Sequence, residues 1–157
     1  SFSIAENLIL DLHEQPPYSK GISLSSKIMQ SEAEKRVAEF DIRSQGASEL
    51  VSSLSGGNKQ KVVLARELSR PVKVVVASQP TRGLDVGSIE FVHEKIVQER
   101  DAGRAVLLFS TELDEVFALA DRIAVMYRGA IIDIVPASIS RSDLGLLMAG
   151  IKPKVNS

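Results

Sequence analysis

The sequence has no cysteine and no tryptophan, and aromatic residues make up 4% of its 157 positions. Without thiols there is no disulfide framework, no thiolate metal ligand and no cysteine nucleophile, a usage that suits the cytosol. So few aromatics count against a surface that stacks nucleic-acid bases. Neither sign of charge prevails. A net charge of −1 gives no electrostatic footprint for a nucleic acid or an acidic membrane surface. No apolar run approaches the roughly 20 residues of a membrane span. No basic segment precedes the short apolar stretch at the N-terminus, as it would in a signal peptide. There is no internal repeat and no low-complexity tract. The two histidines, His13 and His93, stand alone, without a paired His, Asp or Glu at metal-ligand spacing. A surface or partly packed role outweighs a ligand role for each.

What is present is an ordinary apolar content with two kinds of periodicity. Phe2, Ala5, Leu8, Ile9 and Leu12 recur at three- and four-residue spacing and predict a helix over 2–12. His13 to Gly21, with Pro16-Pro17, reads as a loop. Ser31 followed by Glu34 has the form of a capping box and predicts a helix over 31–40 with Ala33, Val37 and Phe40 on one face. After Leu68 the period changes. Val72 to Ala77, between Pro71 and Pro80, reads as a buried strand. A helix over 88–102, with Ile89, Val92, Ile96 and Val97 inward, leads to a second strand over 105–109. Strand, helix and strand imply a parallel pair with a right-handed crossover. A short helix over 113–120 follows, then strands over 123–127 and 130–135 joined by Arg128-Gly129, and a last helix over 142–149. The expected fold class is α/β: a helical part over 1–66, an α/β core over 67–150 and a polar tail over 151–157.

One stretch stands apart. Leu54-Ser55-Gly56-Gly57-Asn58-Lys59-Gln60-Lys61 places a hydroxyl and two glycines before a helical run. Ser55 can cap that helix by accepting from an unpaired N–H of the first turn. Glycines leave room for a phosphate to approach the main chain, and the helix dipole favours an anion there. By itself such a stretch is more often an ordinary turn. Lys59, Lys61 and Arg66 could touch phosphate, but on an amphipathic helix a solvated role is the commoner one. Glu112, Asp114 and Glu115 could pass for paired acid–base carboxylates. Their place in a first helical turn favours dipole complementation.

The order of these stretches carries more than any one of them. Leu-Ser-Gly-Gly opens a helix, an apolar strand runs into Pro80-Thr81-Arg82-Gly83-Leu84-Asp85, and a second strand ends in Ser110-Thr111-Glu112-Leu113. Then comes Leu119-Ala120-Asp121-Arg122-Ile123-Ala124-Val125-Met126-Tyr127-Arg128-Gly129. Over essentially the whole length this resembles the ATP-binding domain of an ABC transporter, a P-loop NTPase of ABC type. Leu54 to Gln60 resembles the family's signature motif, with Asn58 where glutamine is commonest. Val74 to Gln79 stands in the place of the Walker B strand, Gly83-Leu84-Asp85 resembles the D-loop, and Thr111 stands where the switch histidine is expected. Gly-Gly-Asn-x-Gln-Lys with Pro-Thr-Arg-Gly is similar to the second half of double-domain ATPases of sugar and nucleoside importers. Ala77-Ser78-Gln79-Pro80 and the Phe2 to Leu24 segment are similar to the nucleoside branch, where that segment lies in the helical subdomain that touches membrane subunits.

The resemblance implies a division of labour. The sequence holds no Gly-x-x-x-x-Gly-Lys-Ser/Thr, the P-loop that cradles phosphates. The chain is expected to be a fragment whose P-loop lies upstream. Ser78 and Gln79 replace the aspartate and glutamate that end the Walker B strand, and Thr111 replaces the histidine. A neutral serine is a poor Mg²⁺ ligand, and glutamine cannot accept a proton from water. The chain's own catalytic site is therefore expected to be degenerate. Ser55, Gly56, Gly57 and Asn58, with Gln60 beside them, would complete the ATP site of a partner domain, and Asp85 would sit at the interface. ATP and Mg²⁺ belong to the full-length assembly and neither would bind this fragment tightly. The implied partners are another ATP-binding domain, permease subunits and, indirectly, a substrate-binding protein, at the cytoplasmic face of the inner membrane, with the fragment itself soluble. The alternatives are a non-transport ABC ATPase of DNA-repair or translation type and a non-catalytic α/β interaction domain.

Overall fold

The computed structural model describes residues 2–20 and 23–151. The polar tail beyond Ile151, and Gly21 in the proline loop, lie outside the described residues. Contacts divide the chain into two compact units, residues 1–107 and 108–157.

The first unit begins with α1, Ile4–Leu8, closed at its start by a capping box. Ser3 Oγ accepts from Glu6 N at 3.2 Å and Ser3 N donates to Glu6 Oε2 at 2.7 Å. The periodic run to Leu12 does not stay α-helical. Leu10 N and Leu12 N reach back only three residues, to Asn7 and Ile9, so the chain tightens into turns before the prolines. Two short strands then pair antiparallel, β1 (Ser19–Lys20) with β2 (Ser23–Leu24), which the sequence does not announce. Helix α2 spans Ser26–Glu39, five residues earlier than the Ser31 capping box predicts. Ser31 lies inside it, and Glu34 is engaged elsewhere, accepting from Ala47 N at 2.8 Å. Arg36 donates to the Leu8 carbonyl at 3.1 Å and to the Tyr18 hydroxyl at 3.2 Å, satisfying an orphan acceptor at the end of α1.

A 3₁₀ turn over Val51–Ser53 leads into α3, Gly56–Leu68. Residues 47–51 run beside the N-terminus through Ile4 N to Glu49 O, Ala5 N to Ala47 O, and Val51 N to Phe2 O. One apolar cluster joins these parts: Ile4, Ala5 and Leu8 from α1, Ala33 from α2, Phe40 and Ile42 after it, and Val62 and Ala65 from α3. Strand β3 (Val74–Ser78) pairs with β4 (Ala105–Phe109) across α4, Val86–Asp101. This is the expected α/β crossover, and the unit boundary falls within β4. The reading of β3 as buried is corrected. Val74 and Val76 are more than half exposed, because no described element covers that face of the pair. Among the described residues no helix is long and apolar enough to cross a membrane.

The second unit holds α5 (Leu113–Leu119), the antiparallel pair β5 (Arg122–Tyr127) and β6 (Ala130–Pro136), and α6 (Arg141–Met148). The connecting residues Arg128 and Gly129 both have positive φ, 48° and 84°, which suits a two-residue hairpin to the twist of its strands. The ladder pairs Ile123 with Val135 and shifts by a bulge between Val125 and Met126. Ile123 and Val125 pack with Leu144 and Leu147 of α6.

Leu8 is 1% exposed within the first cluster. Leu8→Ala should destabilise the protein by about 2–5 kcal/mol, read as a lowered urea midpoint.

Candidate functional site

The site is built on the start of α3. Ser55 is extended at φ −63°, ψ 162° and is the N-cap, as its position before the glycines predicts. Its Oγ accepts from Asn58 N at 3.4 Å and from Asn58 Nδ2 at 3.0 Å. The other end of the Asn58 amide is pinned: its Oδ1 accepts from Arg43 N at 2.9 Å. A backbone N–H can only donate, so this bond fixes which way the amide points. The consequence reaches Ser55. With Asn58 donating to its oxygen, the Ser55 hydroxyl keeps its own proton to offer outward.

The two glycines differ. A Cβ at Gly56 would meet nothing within 4 Å, whereas one at Gly57 would overlap Ser88 Oγ. Gly57 is buried, and Gly56 lies on the open side. The first turn of α3 carries no acidic residue, so the dipole's positive end is not neutralised from within.

Asp85 enters the same place from a distance of many residues. It is the N-cap of α4, with Oδ1 accepting from Ser88 N at 3.0 Å and Oδ2 from the Ser88 hydroxyl at 2.8 Å. These two bonds, the backbone one first, hold its carboxyl below the usual aspartate range. Ser55, Asn58, Asp85, Ser88, Lys61 and Arg43 all line one polar groove of about 330 Å³. The structure thus brings the candidate clamp and Asp85 together. Gln60 lies on α3, half-buried, and does not line that groove.

Lys61 corrects an expectation. It is not solvated but 8% exposed. Its Nζ donates to Asp41 O at 2.8 Å and Asp41 Oδ2 at 2.7 Å, and sits 4.5 Å above the Phe91 ring. Lys59 is exposed, as expected, and Arg66 pairs with Glu67 at 2.8 Å. Nothing in the sequence pattern marked Lys61, because its partner Asp41 and its ring Phe91 come from other elements.

Ser78 and Gln79 do not line that groove. Ser78 ends β3, exposed, and Gln79 follows it half-buried with φ +49°. A non-glycine residue in the left-handed region costs backbone energy and tends to mark a functional bend. The chain then makes two turns, Arg82 N to Gln79 O and Leu84 N to Thr81 O. Thr111 belongs to the second unit, in the loop before α5. Asp114 and Glu115 stand in the first turn of α5, as dipole complementation requires, and Asp114 pairs with Arg141. Glu112 is the N-cap residue there, without a side-chain cap bond. His13 is exposed, with Nδ1 2.7 Å from Leu10 O, and His93 is half-buried on α4. Among the described residues no group of three or more His, Cys, Asp or Glu could hold a metal.

No protein-family model matches the chain. Individual proteins do. The nucleoside import ATP-binding protein NupA of Lactococcus lactis subsp. cremoris is 46% identical over 149 residues, 94% of this chain and 29% of that protein. The guanosine import ATP-binding protein NupO of Bacillus subtilis is 47% identical over 150 residues, 95% of this chain and 29% of that protein. Among solved structures, a dimeric ATP-binding cassette in a post-hydrolysis state with ADP and Pi matches at TM-score 0.70 and 21% identity, over 88% of this chain and 58% of that one. An ATP-binding cassette of an ABC transporter matches at TM-score 0.72 and 23% identity, over 96% of this chain and 62% of that one. The chain belongs to the ATP-binding cassette family. It spans about 29% of the length of these two import proteins, in their C-terminal part. The α3 cap and the Asp85 turn are therefore features of a cassette.

The Lys61–Asp41 pair gives this cassette a test. Asp41 is open to solvent, which screens the charge term, so Lys61→Met should cost about 1 kcal/mol, mostly in lost hydrogen bonding. The hydrogen bond from Lys61, then its charge, lowers the Asp41 carboxyl from its ordinary 3.8. A lowered folded-state value stabilises above the ordinary one and is lost as pH falls through the lowered one. Urea midpoints of wild type and variant should differ by a constant amount at neutral pH, and the difference should narrow below pH 3.8 without vanishing, because the bond from Lys61 to the Asp41 carbonyl does not titrate.

Proposed function

We propose that this chain is part of the ATP-binding subunit of an ABC importer for simple sugars or nucleosides. It lies in the second ATP-binding domain of a double-domain protein, with a helical subdomain over 1–66 and part of the α/β core over 67–150. Its Ser55, Gly56, Gly57 and Asn58 complete the ATP site of a partner cassette, with Gln60 beside them and Asp85 at the interface between the two. The names of the similar import proteins support the nucleoside side of that substrate class. One geometric observation supports the role of the motif: Arg43 N holds the Asn58 amide so that it donates to Ser55 Oγ. The serine hydroxyl is left to donate to a phosphate oxygen at the open end of α3. Fixed donors of this kind favour the charge that develops in phosphoryl transfer.

The chain's own site is degenerate at Ser78, Gln79 and Thr111. Neutral side chains there neither ligate Mg²⁺ strongly nor take a proton from water. Mg²⁺ and the catalytic carboxylate of the working site come from the partner half. The subunit sits peripherally at the cytoplasmic face of the inner membrane, against permease subunits fed by a substrate-binding protein. Tight Mg-ATP binding by residues 1–157 alone, in a calorimetric titration, would contradict the degenerate site.

Two variants of the full-length protein test the clamp. Ser55→Arg should lower coupled ATP turnover by about 100-fold or more, the scale of one lost preorganised donor; unchanged turnover removes the proposal. Asn58→Asp keeps size and the bond from Arg43 N but turns the group facing Ser55 into an acceptor. The serine proton is then drawn inward, and turnover should fall about tenfold or more while the melting temperature stays near wild type.

A further inference from the structure

We propose that Ser88 is a positioning residue for the phosphate clamp: bound to Asp85, it fills the place of a side chain at Gly57 and so sets where the first turn of α3 stands against α4. The role assigned to Ser55, Gly56 and Gly57 in ATP binding is the premise of this step.

Two explanations compete for a glycine in that turn. One is backbone conformation, but Gly57 lies within α3 and its φ is not in the left-handed region. The other is phosphate approach. That fits Gly56, whose Cβ side is open, and not Gly57, whose Cβ side is closed. A Cβ on Gly57 would overlap Ser88 Oγ, lie 3.1 Å from Ser88 Cβ and 3.3 Å from Asp85 Oδ2. Ser88 cannot easily swing away. Its hydroxyl is bound to Asp85 Oδ2 at 2.8 Å and its N–H to Oδ1 at 3.0 Å, so hydroxyl, amide and carboxylate form one closed cap. The start of α4 is thus a fixed wall, and Gly57 is the only residue type that brings α3 flush against it. Gly57 still offers its N–H to the open end of the helix. The cap, not a bound phosphate, decides where that N–H is.

A double-variant cycle in the full-length protein tests this with Gly57→Ala, Ser88→Gly and the two combined. Amide hydrogen exchange is followed without nucleotide in peptides covering 54–62 and 84–92, beside ATP turnover. Gly57→Ala should speed exchange in both peptides about tenfold as the wall and the turn move apart. Ser88→Gly removes the obstructing Oγ and Cβ, so the combined variant should return exchange and turnover to within about threefold of Ser88→Gly alone. The proposal is overturned if Gly57→Ala leaves the 84–92 peptide at its wild-type rate, or if the combined variant is no better than Gly57→Ala. The Ser55→Arg measurement separates the two levels. Turnover that survives Ser55→Arg removes the clamp reading, whatever the cycle shows. Turnover lost in Ser55→Arg with a failed cycle removes only the role of Ser88.

Discussion

Burial of Val62 and Ala65 fixes the rotation of α3 about its axis, and the rest of the site depends on it. Both side chains are almost fully enclosed against α1 and α2. With about 100° between successive residues, their direction dictates every other direction on the helix. Lys61 is sent toward Asp41 and Phe91, Asn58 toward the Arg43 amide, and Gly57 toward Ser88. The turn at Ser55 and Gly56 is left facing open space. An apolar contact a turn or two away therefore orients a polar end that it never touches.

Much of this was legible in the residue order, and the parts that were not share a cause. Ser55 reads correctly as a cap because its partner, Asn58, is three residues on and the interaction is local. Ala105 to Phe109 and the Arg128-Gly129 hairpin are also local, and their bounds agree with the structure. Ser31 fails for the opposite reason. Its capping-box spacing is met inside a longer helix, where Glu34 serves the distant Ala47 amide instead. Lys61 looks solvated on a helical wheel, yet a half-exposed ion pair with Asp41 draws it in. The contact of Ser88 with Gly57 joins two stretches that no periodicity relates. Burial of β3 was inferred from composition alone, and composition does not say whether a covering layer is present.

The start of α3 and the end of β3 are held in different ways. At the start of α3 every group is held: Ser55 by Asn58, Asn58 by Arg43, Gly57 by Ser88, and Ser88 by Asp85. At the end of β3 the backbone keeps a costly left-handed residue at Gln79, although the side chains there are neutral. The bend still delivers Pro80 and Thr81 to buried positions and leads to Asp85, the anchor of the neighbouring motif.

The bare face of the β3–β4 ribbon has a practical side. Val74, Val76 and Leu107 are each at least half exposed on short strands of β-branched and aliphatic residues. Such a ribbon presents an adhesive surface with unpaired strand edges. In solution, these residues would draw copies together as concentration rises, so handling the polypeptide calls for a solubilising fusion.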